Sequence, residues 1–272
     1  MADKKRFSVV GNCQAPYLAR ALLSNPAFAA EYDLEHIPAV HVIPKEEIAD
    51  HVARLERVDL VIHQPILSAA RFGELETAAL RHRLQGKVAL LCIPSCYFNG
   101  YFPTIGSVSG QVTPAGGVHD MAVFHAFDLG WDIARTERAL YQQDPFGRAF
   151  YRASFRRGVK ALQDREAASD VDVPISDILE GAGRRDVLLH QFNHPTSALF
   201  NQIAERICAR LGLSQCGCAL SKELDTVVWP VWAWVREALD LQPGGEETLK
   251  VRGDKVAMAD FVSGAIATYA KM

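Results

Sequence analysis

Through the first ninety residues, short unbroken apolar runs alternate with stretches whose apolar positions recur at helical spacing. Phe7–Val10, Leu34–Ala39, Asp59–His63 and Lys87–Ile93 read as strands. Residues 15–24, 45–58 and 74–84 read as helices, the second with apolar side chains at 48, 52, 55 and 58. Strands apolar on both faces and separated by helices predict a parallel sheet covered on both sides. From 94 to 118 the pattern lapses into Pro, Gly, Ser, Tyr and Phe, a long irregular loop of the kind that usually carries function. Helical spacing returns from about 119 to 168, broken near Asp144–Gly147. A strand at Asp186–Gln191 then leads into a helix opened by Pro195 and running to about Leu211, with a last helix near 255–270.

The expected fold is therefore α/β, an open and mostly parallel sheet with helices on both faces plus a helical C-terminal part. One α/β domain is expected over 1–272, its core sheet region at 1–118 and 186–211 and mainly helical additions at 119–185 and 212–272. Ligands of such sheets bind outside the carboxyl ends of the strands. Each proposed strand ends in a polar cluster there: Asn12-Cys13-Gln14, then His63-Gln64, then the loop from Pro94 to Asn99, and lastly His190 to His194.

Within the first cluster, Gly11 permits a sharp turn and Cys13 falls at the head of a helix, where unpaired N–H groups favour a thiolate. The plainer alternative is a small buried cysteine filling the first turn. A histidine near Cys13 would make an activated thiol capable of acyl transfer. His194, beside Asn193 and ahead of Pro195, is the first candidate, read as standing at a helix N-cap. His119, backed by Asp120, is the rival, although Asp120 equally suits a helix cap. The Cys13 N–H with Asn12, Gln14, Asn99 or Asn193 could bind an oxyanion or substrate. A Gly-Asp-Ser turn paired with a late Asp-x-x-His is the mark of SGNH esterases, and the layout is similar to an SGNH/flavodoxin-like core. Cysteine replaces serine, however, and residue 191 is Gln rather than Asp.

Composition narrows the field. A formal net charge of −3 argues against a nucleic-acid-binding surface. No apolar stretch is long enough for a membrane span, and the polar start with only four strand-like residues after it reads as a cytoplasmic N-terminus. Six cysteines in such a chain read as thiols, with Cys216-Gly-Cys218 structural rather than half of a zinc site.

Taken together, Val10–Gln14, Tyr97–Pro103, His119-Asp120 and Asn193–Thr196 resemble, in order, the WcbI-type capsular polysaccharide biosynthesis family, over residues 10 to about 211. The resemblance implies an α/β protein that binds coenzyme A or acetyl-CoA and O-acetylates a capsule sugar. Phosphates need cations, and Arg148, Arg152 and Arg156 recur every fourth residue along one helix; Arg20 is a further candidate. Gly11, His63, Asn99 and His119 would complete the coenzyme site, with Tyr97 and Tyr101 packing on the adenine or pantetheine. The partners so implied are an acyl-CoA and a sugar acceptor, with a homo-oligomer or other polysaccharide enzymes as possible associates. Two rival readings stand beside the acetyltransferase: a cysteine-dependent esterase or thioesterase, and a non-catalytic coenzyme A or nucleotide-sugar binding module.

Overall fold

The computed structural model describes residues 3–213, 217–244 and 247–272; Cys216 and its motif with Cys218 lie partly outside them. β1 (Lys5–Val10) leads to α1 (Ala15–Leu23), α2 (Pro26–Glu31), β2 (Tyr32–Leu34), α3 (Ile48–Leu55), β3 (Leu60–His63), α4 (Ala69–Phe72), α5 (Thr77–Leu84) and β4 (Ala89–Cys92). The long loop holds β5 (Ile105–Gly106) and β6 (His119–Asp120), followed by α6 (Met121–Asp128), α7 (Ile133–Tyr141) and α8 (Arg148–Ala168). Next come α9 (Ser176–Glu180), β7 (Leu189–Gln191), β8 (His194–Pro195) and α10 (Ser197–Arg210). Beyond them lie β9 (Val227–Val228), α11 (Ala233–Leu239), β10 (Leu249–Val251), β11 (Asp254–Val256) and α12 (Met258–Tyr269). Two compact units result. Unit 1 comprises Met1–Cys96, Leu162–Ile178 and Pro195–Leu224; unit 2 comprises Tyr97–Ala161, Leu179–His194 and Asp225–Met272.

Unit 1 carries a four-stranded sheet in the order β2-β1-β3-β4, with every pair parallel. Phe7 to Val10 and Leu60 to His63 are buried throughout, as the unbroken apolar runs require of strands covered on both faces. On one face Val10 and Val61 pack with Val52 and Leu55 of α3 and with Leu80 and Leu84 of α5. Leu18 and Leu22 of α1 are buried, as are Phe200, Ile203 and Ile207 of α10, and these two helices pack together. The register sets Val10 beside His63, and His63 beside Cys92. The polar residues that follow β1, β3 and β4 therefore emerge at one edge.

β2 falls at Tyr32–Leu34 rather than 34–39. The Asn25 side chain caps α2 by accepting from the N–H groups of Ala27 and Phe28, and Tyr32 then stacks on Phe28 at 4.7 Å. Pairing with β1 ends soon after Glu35, as Pro38 has no N–H to offer.

A second departure concerns the late strand. β7 does not become a fifth strand of the parallel sheet; it forms a two-stranded sheet with β8. Pro195 lies in that strand and does not open the helix. The N-cap of α10 is Thr196, in extended conformation, whose hydroxyl accepts the Leu199 N–H. His194 is accordingly a strand residue and not a helix cap.

Unit 2 holds helices α6, α7 and α12 packed on one another, as the helical spacing foretold. It also holds an antiparallel sheet in the order β11-β10-β9, which the sequence pattern does not announce. The hairpin between β10 and β11 turns through Arg252 and Gly253, both at positive φ (54° and 91°).

Candidate functional site

Gly11 to Gln14 form the turn between β1 and α1, and two glutamines hold it. The Gln64 carboxamide oxygen accepts the Asn12 N–H at 2.9 Å, and its nitrogen donates to the Gln14 side-chain oxygen at 2.9 Å. Gln14 also grips the backbone of Cys96, donating to its carbonyl at 2.9 Å and accepting its N–H at 3.0 Å. Asn12 accepts the Gln14 N–H on its side-chain oxygen, and its carbonyl accepts the Ala15 N–H. Pro16 has no N–H to leave unpaired. Cys13 is left half-buried on this locked turn, a free thiol.

The electrostatics of Cys13 run against the expected thiolate. Burial pushes the thiol up from its usual value, more than its own backbone N–H lowers it. With the N–H groups around it already bonded to Asn12 and Gln14, little of the helix end remains to stabilise a negative sulfur. Cys96 is wholly buried and pushed up to about 12 by desolvation. Gln14, expected to meet substrate, is spent on the scaffold.

His63 stands at the end of β3 with 1% exposure, and burial lowers its pKa to about 4. It is a neutral, interior imidazole. Arg20 is exposed on α1, its guanidinium over the Tyr17 ring, which stacks in turn on Phe200.

In unit 2, the His119 ring lies between the Tyr269 hydroxyl, 3.2 Å from Nδ1, and the Gln111 carbonyl, 3.3 Å from Nε2. A carbonyl can only accept, so Nε2 carries the hydrogen and Nδ1 accepts from Tyr269. No lone pair remains for proton transfer or a cofactor, and the ring is fully buried. Asp120 caps α6 and accepts the Tyr141 hydroxyl at 2.6 Å, the capping role weighed for it in the sequence. Tyr101 is likewise interior, donating its hydroxyl to the Gly183 carbonyl at 2.7 Å, and so packs on no ligand. Asn99 is exposed and ties its amide to the Ile105 carbonyl at 2.6 Å.

His194 and Asn193 do line a cavity. It measures 870 Å³ and is walled by Tyr97, by the 112–118 loop, by Gln191 and Phe192, and by the β10–β11 hairpin. Burial lowers the His194 pKa to about 4, with His190 adding to the effect and Asp225 opposing it. Among the described residues its Nδ1 has no hydrogen-bond partner, and neither has the Gln191 side-chain oxygen. In the sequence Gln191 belongs to the polar cluster that ends the late strand, and it also stands where SGNH esterases carry Asp.

The arginine stripe divides. Arg148 and Arg152 both pair with Asp240, at 3.0 and 2.9 Å. Asp240 has left-handed backbone at the end of α11, where Arg152 also donates to the Ala238 carbonyl at 2.7 Å. Arg156 instead lines a 370 Å³ cavity with Arg152, Arg184 and Asp240. Three arginines and one aspartate line it, Arg184 also pairing with Glu180 at 3.8 Å, and this excess of positive charge suits a phosphate-bearing ligand. Arg184 was not apparent from spacing, since it lies in a turn far along the chain.

Residues 6–216 match the family model described as polysaccharide biosynthesis enzyme WcbI. The chain belongs to the WcbI family. A solved structure matches it at 26% identity with a TM-score of 0.86, covering 99% of this chain and 91% of the other. That structure is described as WcbI, a novel polysaccharide biosynthesis enzyme, native protein without a disulfide bond between coenzyme A and one of its cysteines. No curated protein matches significantly. The α/β fold inferred from the sequence is thus that of the WcbI family, and this member carries no helix, among the described residues, long and apolar enough to cross a membrane.

Proposed function

We propose that this WcbI family member transfers an acyl group, most simply acetyl, from coenzyme A to a sugar hydroxyl during assembly of a surface polysaccharide. The observation that carries the reading is the turn at Gly11–Gln14. Two glutamines and an asparagine hold a single half-buried thiol at the carboxyl edge of a parallel sheet, and a solved relative is described in terms of coenzyme A and a cysteine. In this reading Cys13 meets the thiol end of the coenzyme and Asn12 offers its amide to the acyl oxygen. The basic cavity lined by Arg156 and Arg184 has the charge that phosphates require.

The raised pKa of Cys13 favours direct transfer over an acyl-enzyme, because a protonated thiol is a poor nucleophile. His194 is neutral at working pH and takes the proton from the acceptor hydroxyl. The sugar oxygen then bonds to the acyl carbon as the carbon–sulfur bond breaks. The departing thiolate of coenzyme A recovers the proton from the imidazolium, leaving the enzyme unchanged.

The test is to incubate the protein with acetyl-CoA, with and without de-acetylated oligosaccharides of the polysaccharide, and to follow free coenzyme A and oligosaccharide mass. Release that requires the oligosaccharide, with gain of one acetyl group, is expected. Release without any acceptor would replace the transferase with a thioesterase. Failure of coenzyme A to raise the melting temperature would remove the coenzyme from the account. At a hundredfold excess over its dissociation constant, a native-state ligand adds about 2.7 kcal/mol.

A further inference from the structure

The 870 Å³ cavity of unit 2 is lined by two buried residues with a polar atom that has no partner among the described residues, the acceptor Gln191 Oε1 and the ring nitrogen His194 Nδ1; the residues are 3% and 8% exposed. A buried polar atom left unbonded is destabilising, and a ligand rich in hydroxyl groups removes that cost. On the same wall, the Tyr97 ring stacks on Phe192 with centroids 6.1 Å apart and is 39% exposed. An aromatic surface beside unpartnered polar atoms suits a pyranose, whose C–H face is apolar and whose hydroxyl rim both donates and accepts hydrogen bonds.

Charge separates this cavity from the basic one. Among the described residues lining it, the Arg252 guanidinium is balanced by the Asp254 carboxylate across the hairpin turn, so the lining is close to neutral. Arg252 holds a left-handed backbone (φ 54°) that a non-glycine residue adopts at a cost, which places its side chain at the cavity. Its volume also lies within the range of about 300–1,000 Å³ common to ligand pockets.

We propose that this cavity is the site of the acceptor glycan, with Gln191 and Tyr97 as its specificity-determining residues. The proposal rests on the transferase reading and names the binding site for its acceptor. It assigns Gln191 to hydroxyl recognition and leaves proton transfer to His194.

The experiment is saturation-transfer NMR on the full chain with methyl glycosides of glucose, galactose, mannose and N-acetylglucosamine and with glucuronic acid. Coenzyme A affinity is measured separately by calorimetry. At least one glycoside is expected to receive saturation, and Gln191→Leu and Tyr97→Ala should each weaken it about tenfold, the scale of one lost hydrogen bond or stacking contact. Coenzyme A affinity should change less than about twofold in both. Tyr97 is exposed, so its variant stays informative if Gln191→Leu folds poorly. No saturation of any glycoside, or saturation that survives both substitutions, overturns the proposal while coenzyme A binding keeps the transferase reading alive. Loss of coenzyme A binding in either variant, with glycosides unaffected, would give the cavity to the coenzyme and overturn it as well. Should wild type bind glycosides but no coenzyme A, the transferase reading fails and the glycan site stands.

Discussion

The Gln64 carboxamide lies against the α-carbon of Gly11 so closely that a Cβ there would collide with its oxygen. The same oxygen accepts the N–H of Asn12, so the glutamine cannot withdraw without stranding a donor. Gly11→Ala should therefore cost about 1–3 kcal/mol in urea unfolding, the usual penalty of overpacking. Gln64→Ala in that background should recover only part, since the clash goes but the Asn12 N–H is left unbonded. Full additivity of the two substitutions in a double-mutant cycle would show that they do not act on one another.

Much of this arrangement can be read along the chain, and some cannot. The buried runs at 7–10 and 60–63 mark β1 and β3 because strands covered on both faces have no polar side to break the pattern. The polar tips at Asn12, His63 and Cys96 follow from the same runs. β10 and β11 escape notice because each is three residues long and carries Lys250 or Lys255 at its centre, too short to show a period. Pro195 misleads because its fixed φ suits a first helical turn and an edge strand equally, and Thr196 decides by capping α10. Nor does spacing reveal that Cys13 is desolvated, or that His119 is enclosed by Tyr269 from far along the chain.

Desolvation of Cys13 has a kinetic signature. Alkylation by iodoacetamide, followed by peptide mass spectrometry against pH, should place its midpoint above the ordinary value of roughly 8.5. Under direct transfer, Cys13→Ser should keep turnover within about tenfold, as no bond to the sulfur forms. A midpoint well below the ordinary value, together with an inactive serine variant, would instead restore the acyl-enzyme.

The division of the arginine stripe predicts unequal effects on coenzyme A. Arg156→Ala and Arg184→Ala should each weaken it about tenfold or more, the scale of a hydrogen bond to a charged group. Added salt should weaken the wild type in parallel, as it screens exposed charges. Arg148→Ala should matter less than about twofold, because that guanidinium is held by Asp240. Equal losses at all three positions, measured by calorimetry, would point to a diffuse basic surface rather than the cavity.

Two buried histidines make the fold sensitive to acid. His63 and His194 are both lowered from an ordinary value near 6.5 to about 4, so between these limits the unfolded chain binds more protons than the folded one. Stability should be complete above pH 6.5 and fall as pH drops toward 4, by up to about 3 kcal/mol per histidine. Urea midpoints measured from neutral pH downward should show this slope, and His63→Leu should flatten it. A slope unchanged in that variant would mean that His63 is not buried as a neutral ring.

His194 and His119 differ in what surrounds their nitrogens, and this separates their roles. His194 lines the large cavity with Nδ1 unpartnered among the described residues, whereas both nitrogens of His119 are bonded in the interior. His194→Ala should lower kcat by about 10²-fold, the low end of a general base's contribution because a ring lowered to about 4 is a weak base at neutral pH, while coenzyme A affinity and melting temperature stay near wild type. His119→Ala should do the reverse: it deletes a buried ring and leaves the Tyr269 hydroxyl unbonded, costing about 2–4 kcal/mol in stability while folded protein retains its kcat. Since His194 is already neutral far below working pH, kcat of the wild type should stay level from pH 5.5 to 8 and fall only toward pH 4. A profile that instead breaks near 6.5 and disappears with His119→Ala would move the base from one histidine to the other.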